Sequence, residues 1–317
     1  MSRMKLAMVI GPTASGKTAL AVRLAQRLNG EVISADSMQI YADMRIGTAR
    51  PTAAEMQGIP HHLLGVLPLT QSYSVAQYTA DANRCIADIT ARGRLPIVAG
   101  GTGLYVSSLA DGLIFTETRC DESLRAELNR QAQTEGGEVL LQELAQFDPE
   151  SAARLHPNNV GRIIRAIEIY RTSGITMTEQ LRRSRSNPPK WNLAMIGLTF
   201  RDRQKLYDRI NRRVDQMLAD GLEEEARRVL VQPGGATALQ AIGYKELAPY
   251  LDGRCSRAEA VENLKKATRH YAKRQLTWFR RDDRIHWLEL DQFRSEAEWT
   301  DEAVRTVERT FSEQEDA

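Results

Sequence analysis

The chain has 317 residues, 42% hydrophobic and 26% charged, which suits about two soluble globular domains with a substantial core. No apolar run approaches the ~20 residues of a membrane span, and Cys85, Cys120 and Cys255 are too scattered for a disulfide framework or a zinc site. The net charge of +2 is unevenly spread: residues 118–284 hold 30 Lys/Arg against 23 Asp/Glu, and residues 285–317 hold 3 against 10. A basic middle followed by an acidic tail fits a polyanionic partner, or simply solvated Arg-rich helices.

In chain order, Lys5 to Ile10 (KLAMVI) reads as a short buried strand and Thr18 to Leu28 as a helix with apolar residues at helical spacing. Between them, Gly11-Pro12-Thr13-Ala14-Ser15-Gly16-Lys17-Thr18 satisfies the phosphate-loop pattern G-x-x-x-x-G-K-[ST]. The strand–loop–helix setting separates it from an ordinary glycine-rich turn. Loop N–H groups and the helix N-terminus are expected to surround an anion, with Lys17 reaching the outer phosphates and the Thr18 hydroxyl holding Mg²⁺. The pattern predicts a di- or triphosphate ligand without making it a nucleotide.

A second strand, Glu31 to Ala35, runs into Asp36. Strand ends of a parallel sheet share one edge, so Asp36 is expected near the phosphates, as a proton acceptor or a water-mediated Mg²⁺ ligand. A turn cap is the alternative. In His61-His62 no third ligand stands at metal spacing, and the pair reads as structural or as a phosphate contact. A third strand, Leu95 to Ala99, leads into Gly100-Gly101-Thr102-Gly103-Leu104-Tyr105, either a tight turn or a place where a ligand approaches the backbone. No carboxylate follows this strand, where an ATPase carries one, which weighs against NTP hydrolysis.

From Asp121 to about Arg183 the pattern is helical, with breaks at Gly136-Gly137 and Asp148-Pro149; residues 184–190 read as a linker, and Asn192 to Phe200 returns to a buried strand. Helical stretches at 202–231, 236–251 and 256–281, a strand at 285–290 and an acidic helical tail follow. The expected fold is α/β: a P-loop-containing parallel sheet covered by helices, with an inserted helical subdomain, divided as 1–118, 119–188 and 189–317. Arg162 and Arg165 share a helix face; Arg209, Arg212 and Arg213 crowd another helix; Lys265, Lys266, Arg269, Lys273, Arg274, Arg280, Arg281 and Arg284 line the last long one among Tyr271, Trp278 and Phe279. Unpaired RNA suits such a mixture. The aromatics read better as core, and the basic residues leave both readings open.

Taken in order, GPTASGKT (11–18), ADSMQIY (35–41), IGTARP (46–51), PHHL (60–63), YSVAQY (73–78), VAGGTGLY (98–105), HPNN before Arg162 and Arg165, LYDRINRRVDQM (206–217), QAIGYKE (240–246) and YAKRQLTWFR (271–280) resemble the bacterial tRNA dimethylallyltransferase (tRNA isopentenyltransferase) family. The resemblance runs from the N-terminus to about residue 290. It implies transfer of a dimethylallyl group from dimethylallyl diphosphate to N6 of adenosine 37, beside the tRNA anticodon, with the phosphate loop gripping a leaving group. Asp36 would take the N6 proton. Lys17, Thr18 with Mg²⁺, and Arg209 as the candidate arginine would stabilise the diphosphate. Asp36, Ser37, Met38, Gln39, Thr102, Asn159, Val160, Gly161, Arg162, Ile163, Gln240, Ala241, Ile242, Gly243, Tyr244 and Lys245 would contact the tRNA, and the helical insertion would close over the anticodon stem-loop.

The sequence departs from the family pattern at Leu64-Gly65, where Ile-Asp is expected, and at Gly161, where relatives often carry Arg. A small-molecule kinase with the same loop, a prenyltransferase acting on free adenine nucleotides, and a non-catalytic RNA-binding protein are the competing readings. A monomer in the reducing cytoplasm, with no membrane association, is expected.

Overall fold

The computed structural model describes residues 3–113, 121–185, 190–234 and 238–315, and its contacts divide the chain into two compact units, 1–110 with 191–317, and 111–190. The first unit starts with β1 (Met4–Ile10), α1 (Lys17–Arg27), β2 (Gly30–Ala35), α2 (Ala53–Met56), β3 (His61–His62), α3 (Val75–Ala91), β4 (Leu95–Gly100) and α4 (Gly103–Ala110). The second holds α5 (Glu122–Glu135), α6 (Gly137–Phe147), α7 (Pro149–Arg154), α8 (Val160–Ser173) and α9 (Met177–Arg185). The chain then returns to the first with β5 (Trp191–Thr199), α10 (Arg203–Ala219), α11 (Leu222–Leu230), α12 (Tyr244–Leu251), α13 (Arg257–Phe279), β6 (Ile285–Glu289) and α14 (Glu296–Glu315).

The parallel sheet expected from the strand–helix alternation is present. Its six strands run in the order β3-β2-β4-β1-β5-β6, every pair parallel. Strands buried on both faces read as continuous apolar runs, and β1 shows this: Leu6 to Ile10 have no exposed surface. On one face Leu6, Met8 and Ile10 pack with α3, α4 and the helices after β5; on the other Ala7 and Val9 pack with α1 and α14. In α14, Trp299, Ala303, Val307 and Phe311 form the apolar stripe against that second core. Burying each of the large members stabilises the fold by about 1.5–3 kcal/mol. At the margin of the same contact, Arg23 pairs with Glu296 and lies over the Trp299 ring, and Arg27 Nη1 meets Asp301 Oδ1 at 2.9 Å. The acidic tail is therefore a structural helix laid against α1.

Helix limits follow local chemistry. Ser74 caps α3 in a reciprocal box with Gln77, and the Ser256 side chain accepts from Glu259 N–H to start α13. The 202–231 stretch, expected as one helix, is two, because Gly221 takes φ 100° between α10 and α11. The two-residue strand β3 is set by its pairing to β2, Val32 opposite His61 and Ile33 opposite His62, rather than by any run of its own. Of the expected linker, residues 184 and 185 end α9, and residues 186–189 lie outside the described residues.

The second unit has a separate core of Leu128, Leu140, Leu144, Ile163 and Ile167. Its buried carboxylate, Glu168, is held by Arg125 at 2.9 Å and Arg165 at 2.7 Å. Among the described residues, no helix is long and apolar enough to cross a membrane.

Candidate active site

Strand register brings three loops to one edge. Ile10 pairs with Gly100, and Gly100 with Ala35, so Gly11, Asp36 and Gly101 all leave the sheet at the same level. This is the carboxyl edge, where ligands of open α/β sheets bind.

The phosphate loop wraps the start of α1, with Ala14 at φ 62° and Gly16, the N-cap, at φ 95°. Only glycine adopts the latter readily. Ala14 is wedged against Leu206, Ile210 and Ala272, fixing the loop to α10 and α13. The Lys17 ammonium donates to the Pro12 carbonyl at 2.6 Å. Burial first, and then the Arg213 cation, draw its pKa down to about 7 against the opposing pull of the Asp36 carboxylate. An anion placed against Lys17 would restore its proton.

Two arginines of α10 converge on the loop. Arg209 Nε donates to the Ala14 carbonyl at 2.9 Å, and its guanidinium lies over the Phe200 ring. Arg213, one turn later, places Nη2 3.5 Å from the Ala49 carbonyl and interacts with Lys17 and Asp36. Its burial lowers its pKa, which Glu55 and Asp36 offset. Arg209 is the arginine expected here; Arg213 stands undistinguished in the same Arg-rich stretch of sequence. The available signal is phase: Arg209 and Arg213 each precede a residue of the buried Leu206–Ile210–Val214 stripe and lie along one side of it, whereas Arg212 falls on the opposite face of the helix.

Asp36 is both cap and candidate base. Its Oδ1 accepts from the backbone N–H of Met38 at 2.9 Å and of Gln39 at 3.2 Å. Oδ2 has no hydrogen-bond partner among the described residues. Thr102 supports the same turn, its Oγ1 accepting from Ser37 N–H at 3.0 Å and its own N–H donating to the Ala35 carbonyl. The Gln39 amide is spent inside the protein: Oε1 accepts from Ser34 Oγ, and Nε2 donates to the carbonyls of Thr48 and Ala49.

Three further residues build the frame: Glu225 and Gln275, which the sequence does not single out, and Tyr271, expected there as core. Buried Glu225 accepts from the N–H groups of Arg45, Ile46 and Gly47 at 2.8–3.0 Å and from the Tyr244 hydroxyl at 2.7 Å. It therefore holds the loop whose carbonyls meet Gln39 and Arg213. Buried Gln275 joins the phosphate loop to the loop after β4. The Tyr271 phenol sits beside Thr102 and Gln275; burial, then the nearby Asp36 charge, pushes its pKa up.

Of the other residues expected to meet RNA, Gln240, Lys245, Asn159, Gly161 and Arg162 are exposed, and Val160, Met38 and Ile242 half-buried. Ile163, Ala241 and Tyr244 are buried, so their side chains face the core rather than solvent. Among the aromatics of α13, Phe279 is core as expected, but Trp278 is 37% exposed, its Nε1 donating to Ser107 Oγ over the first turns of α4. His62 Nε2 donates to the Glu31 carboxylate, which Arg92 and Arg94 also bind, a structural use of the pair.

No group of three His, Cys, Asp or Glu suited to holding a metal occurs among the described residues. The donor chemistry suits Mg²⁺ as a partner of a phosphate ligand: the Thr18 hydroxyl at the helix start and the Asp36 carboxylate are hard oxygen donors, and Mg²⁺ commonly takes its remaining oxygens from phosphates and water.

The IPP transferase family profile matches residues 39–282. The tRNA dimethylallyltransferase of Acetivibrio thermocellus is 49% identical over 291 residues, 91% of this chain and 92% of its own, and that of Halalkalibacterium halodurans is 49% identical over 288, 90% and 91%. The crystal structure of the full-length tRNA isopentenylpyrophosphate transferase from Bacillus halodurans superposes with a TM-score of 0.74 at 43% identity, covering 99% of each chain. A eukaryotic dimethylallyltransferase, captured acting on tRNA, gives a TM-score of 0.75 at 29% identity, over 93% of this chain and 77% of that one.

Proposed function

The chain belongs to the IPP transferase family, and from that premise we propose that it is a tRNA dimethylallyltransferase, moving a dimethylallyl group from dimethylallyl diphosphate to N6 of adenosine 37. The observation that carries the reading is the common sheet edge of the phosphate loop and Asp36, set by the Ile10–Gly100–Ala35 register. A phosphate grip lies beside a carboxylate, with no strand-end carboxylate of the ATPase kind after β4.

In the proposed reaction the bond between C1 and its oxygen breaks with its electron pair going to the diphosphate, and the N6 amine forms the new bond to C1. Negative charge grows on the leaving oxygens. The loop N–H groups, Lys17, Arg209 and Arg213 offset it from fixed positions, which is worth more than the same charges in water. Mg²⁺, held by the Thr18 hydroxyl with Asp36 nearby, would add Lewis-acid stabilisation of the leaving group. Asp36 receives the proton that N6 sheds. The amine is a weak nucleophile, so its alignment with the allylic carbon matters as much as basicity. Leaving the loop stack lets the adenine reach the carboxylate, and Arg162, Gln240 and Lys245 offer exposed groups for the RNA. The same reading has a monomer acting in the cytoplasm.

The test is transfer of label from dimethylallyl diphosphate, with Mg²⁺, to an anticodon stem-loop bearing three consecutive adenosines around position 37, with AMP, ADP and ATP as parallel acceptors. Label in RNA alone supports the reading. Label in the nucleotides moves the protein to nucleotide prenylation, and ATP turnover without label revives the kinase.

A further inference from the structure

We propose that Gln275 is a positioning residue: a buried amide that sets the spacing between the phosphate loop and the loop after β4, and through it the alignment of the allylic carbon with the acceptor amine. The inference rests on the function proposed above.

Gln275 lies in α13 and is 5% exposed. Its Oε1 accepts from the backbone N–H of Thr13 at 2.8 Å, and its Nε2 donates to the Gly101 carbonyl at 2.9 Å. One partner is obligatorily a donor and the other an acceptor, so the amide has a single orientation. The two partners belong to loops that the sequence holds far apart and that leave adjacent positions of the sheet edge. Gly101 carries no side chain at this approach, since a Cβ there would stand 2.1 Å from Gln275 Nε2. The contact is also built in from behind. Ala272 and Leu276, on either side of Gln275 in α13, pack in the cluster that holds Ala14 of the phosphate loop.

A residue that merely filled this space would do so as an aliphatic chain. Gln275 instead satisfies two backbone groups, and the Thr13 N–H it engages is thereby withdrawn from the phosphate-binding set. The anion is left to the later N–H groups and Lys17. Next to Gly101 stands Thr102, which holds the Asp36 turn. One side chain therefore spans from the leaving-group loop to the turn of the base. Displacements near 1 Å cost about 10²-fold in rate when reacting atoms must align.

The experiment compares Gln275→Met and Gln275→Glu with the wild type in the transfer assay from pH 5 to 9, with thermal melting as a fold control. Gln275→Met keeps the volume without either bond, and its kcat is expected to fall at least about tenfold at every pH. In Gln275→Glu, the ionised carboxylate faces the Gly101 carbonyl and transfer is low. The protonated carboxyl reproduces the amide, C=O accepting from Thr13 and O–H donating to Gly101. Its rate relative to wild type is thus expected to climb as pH falls, while the Met ratio stays flat.

The titratable and charged groups around this part of the site are Tyr271 and Arg274 of α13, Asp36 after β2, Lys17 of the phosphate loop and Arg209 and Arg213 of α10. All are shared by the wild type and both variants, so a pH dependence of the Glu ratio that the Met ratio lacks originates in the carboxyl at position 275. A Met variant within twofold of wild type, or a Glu ratio as flat as that of Met, overturns the inference. Should Gln275→Met not fold, the pH-dependent recovery of Gln275→Glu decides alone. A wild type that transfers no label would instead overturn the proposed function.

Discussion

The Arg213 guanidinium pushes the Lys17 ammonium towards neutrality: two cations are held together at the phosphate loop, one already drawn down to about pKa 7 by burial and by the other. Such an arrangement is unfavourable by itself and favourable around a polyanion, and it gives the loop a proton to gain when it binds.

Diphosphate binding is accordingly expected to take up close to one proton at Lys17 near pH 8.5, and to leave Lys17 unchanged near pH 5.5, where it is already charged. The sign follows from the lowered free-state value and its rise against an anion. Calorimetry with inorganic diphosphate in buffers of different ionisation enthalpy reads the uptake, and the difference between wild type and Lys17→Ala isolates it from titration of the ligand. Equal uptake in the two proteins would sink the assignment. Without ligand, the unfolded lysine keeps its proton up to about pH 10.5, so this group's contribution to stability rises with pH between about 7 and 10.5.

Arg213→Ala is expected to reduce transfer by about 10²-fold or more, the usual loss when one preorganised donor to a developing anion is removed. It should also move the onset of proton uptake to higher pH, because the charge lowering Lys17 is gone. Rapid-quench measurement of the transfer step and the same calorimetry check both effects; an unmoved onset would separate Arg213 from Lys17.

Asp36→Ala is expected to lower the rate of transfer by about 10²–10⁴-fold while the anticodon stem-loop still binds. Filter binding beside single-turnover transfer gives the comparison. Near-normal transfer would remove Asp36 from the role of base.

Glu225→Ala leaves the N–H groups of Arg45, Ile46 and Gly47 and the Tyr244 hydroxyl without their acceptor. At about 1–3 kcal/mol for each buried group left unpaired, a loss of at least about 3 kcal/mol in urea denaturation is expected, with faster amide exchange confined first to residues 45–47. Unchanged exchange there would show that another group holds this loop.

The parts of the site written contiguously were legible in the sequence. The phosphate loop and Asp36 each sit at the end of an apolar run, so a strand and its exit loop are visible together, and parallel pairing puts the exits side by side. What escaped was whatever depends on pairing across the chain. Gln275 is one glutamine in a basic helix, and nothing in its neighbours marks that it reaches Thr13 and Gly101. Glu225 stands in an acidic triplet, Glu223-Glu224-Glu225, and only the turn of α11 decides that the third carboxylate is the buried one. Arg213 differs from Arg212 by a rotation of one residue about α10. Trp278 and Phe279 both fit a core expectation, and the same rotation buries Phe279 and exposes Trp278.

The order of strands also says when the enzyme can exist during its own synthesis. β1 is made first but lies between β4 and β5, with Met4 paired to Trp191, and the outer face of α1 stays bare until the residues around Trp299 to Phe311 arrive. On the ribosome, the phosphate loop thus emerges long before β4, β5, α10 and α13, and is among the last segments to acquire its supports. α10 and α13, which bring Arg209, Arg213 and Gln275, come out after the second unit is already complete. A nascent chain paused before α13 would carry the whole loop motif without the amide that joins it to Gly101, so protease resistance of the phosphate loop should appear late in translation.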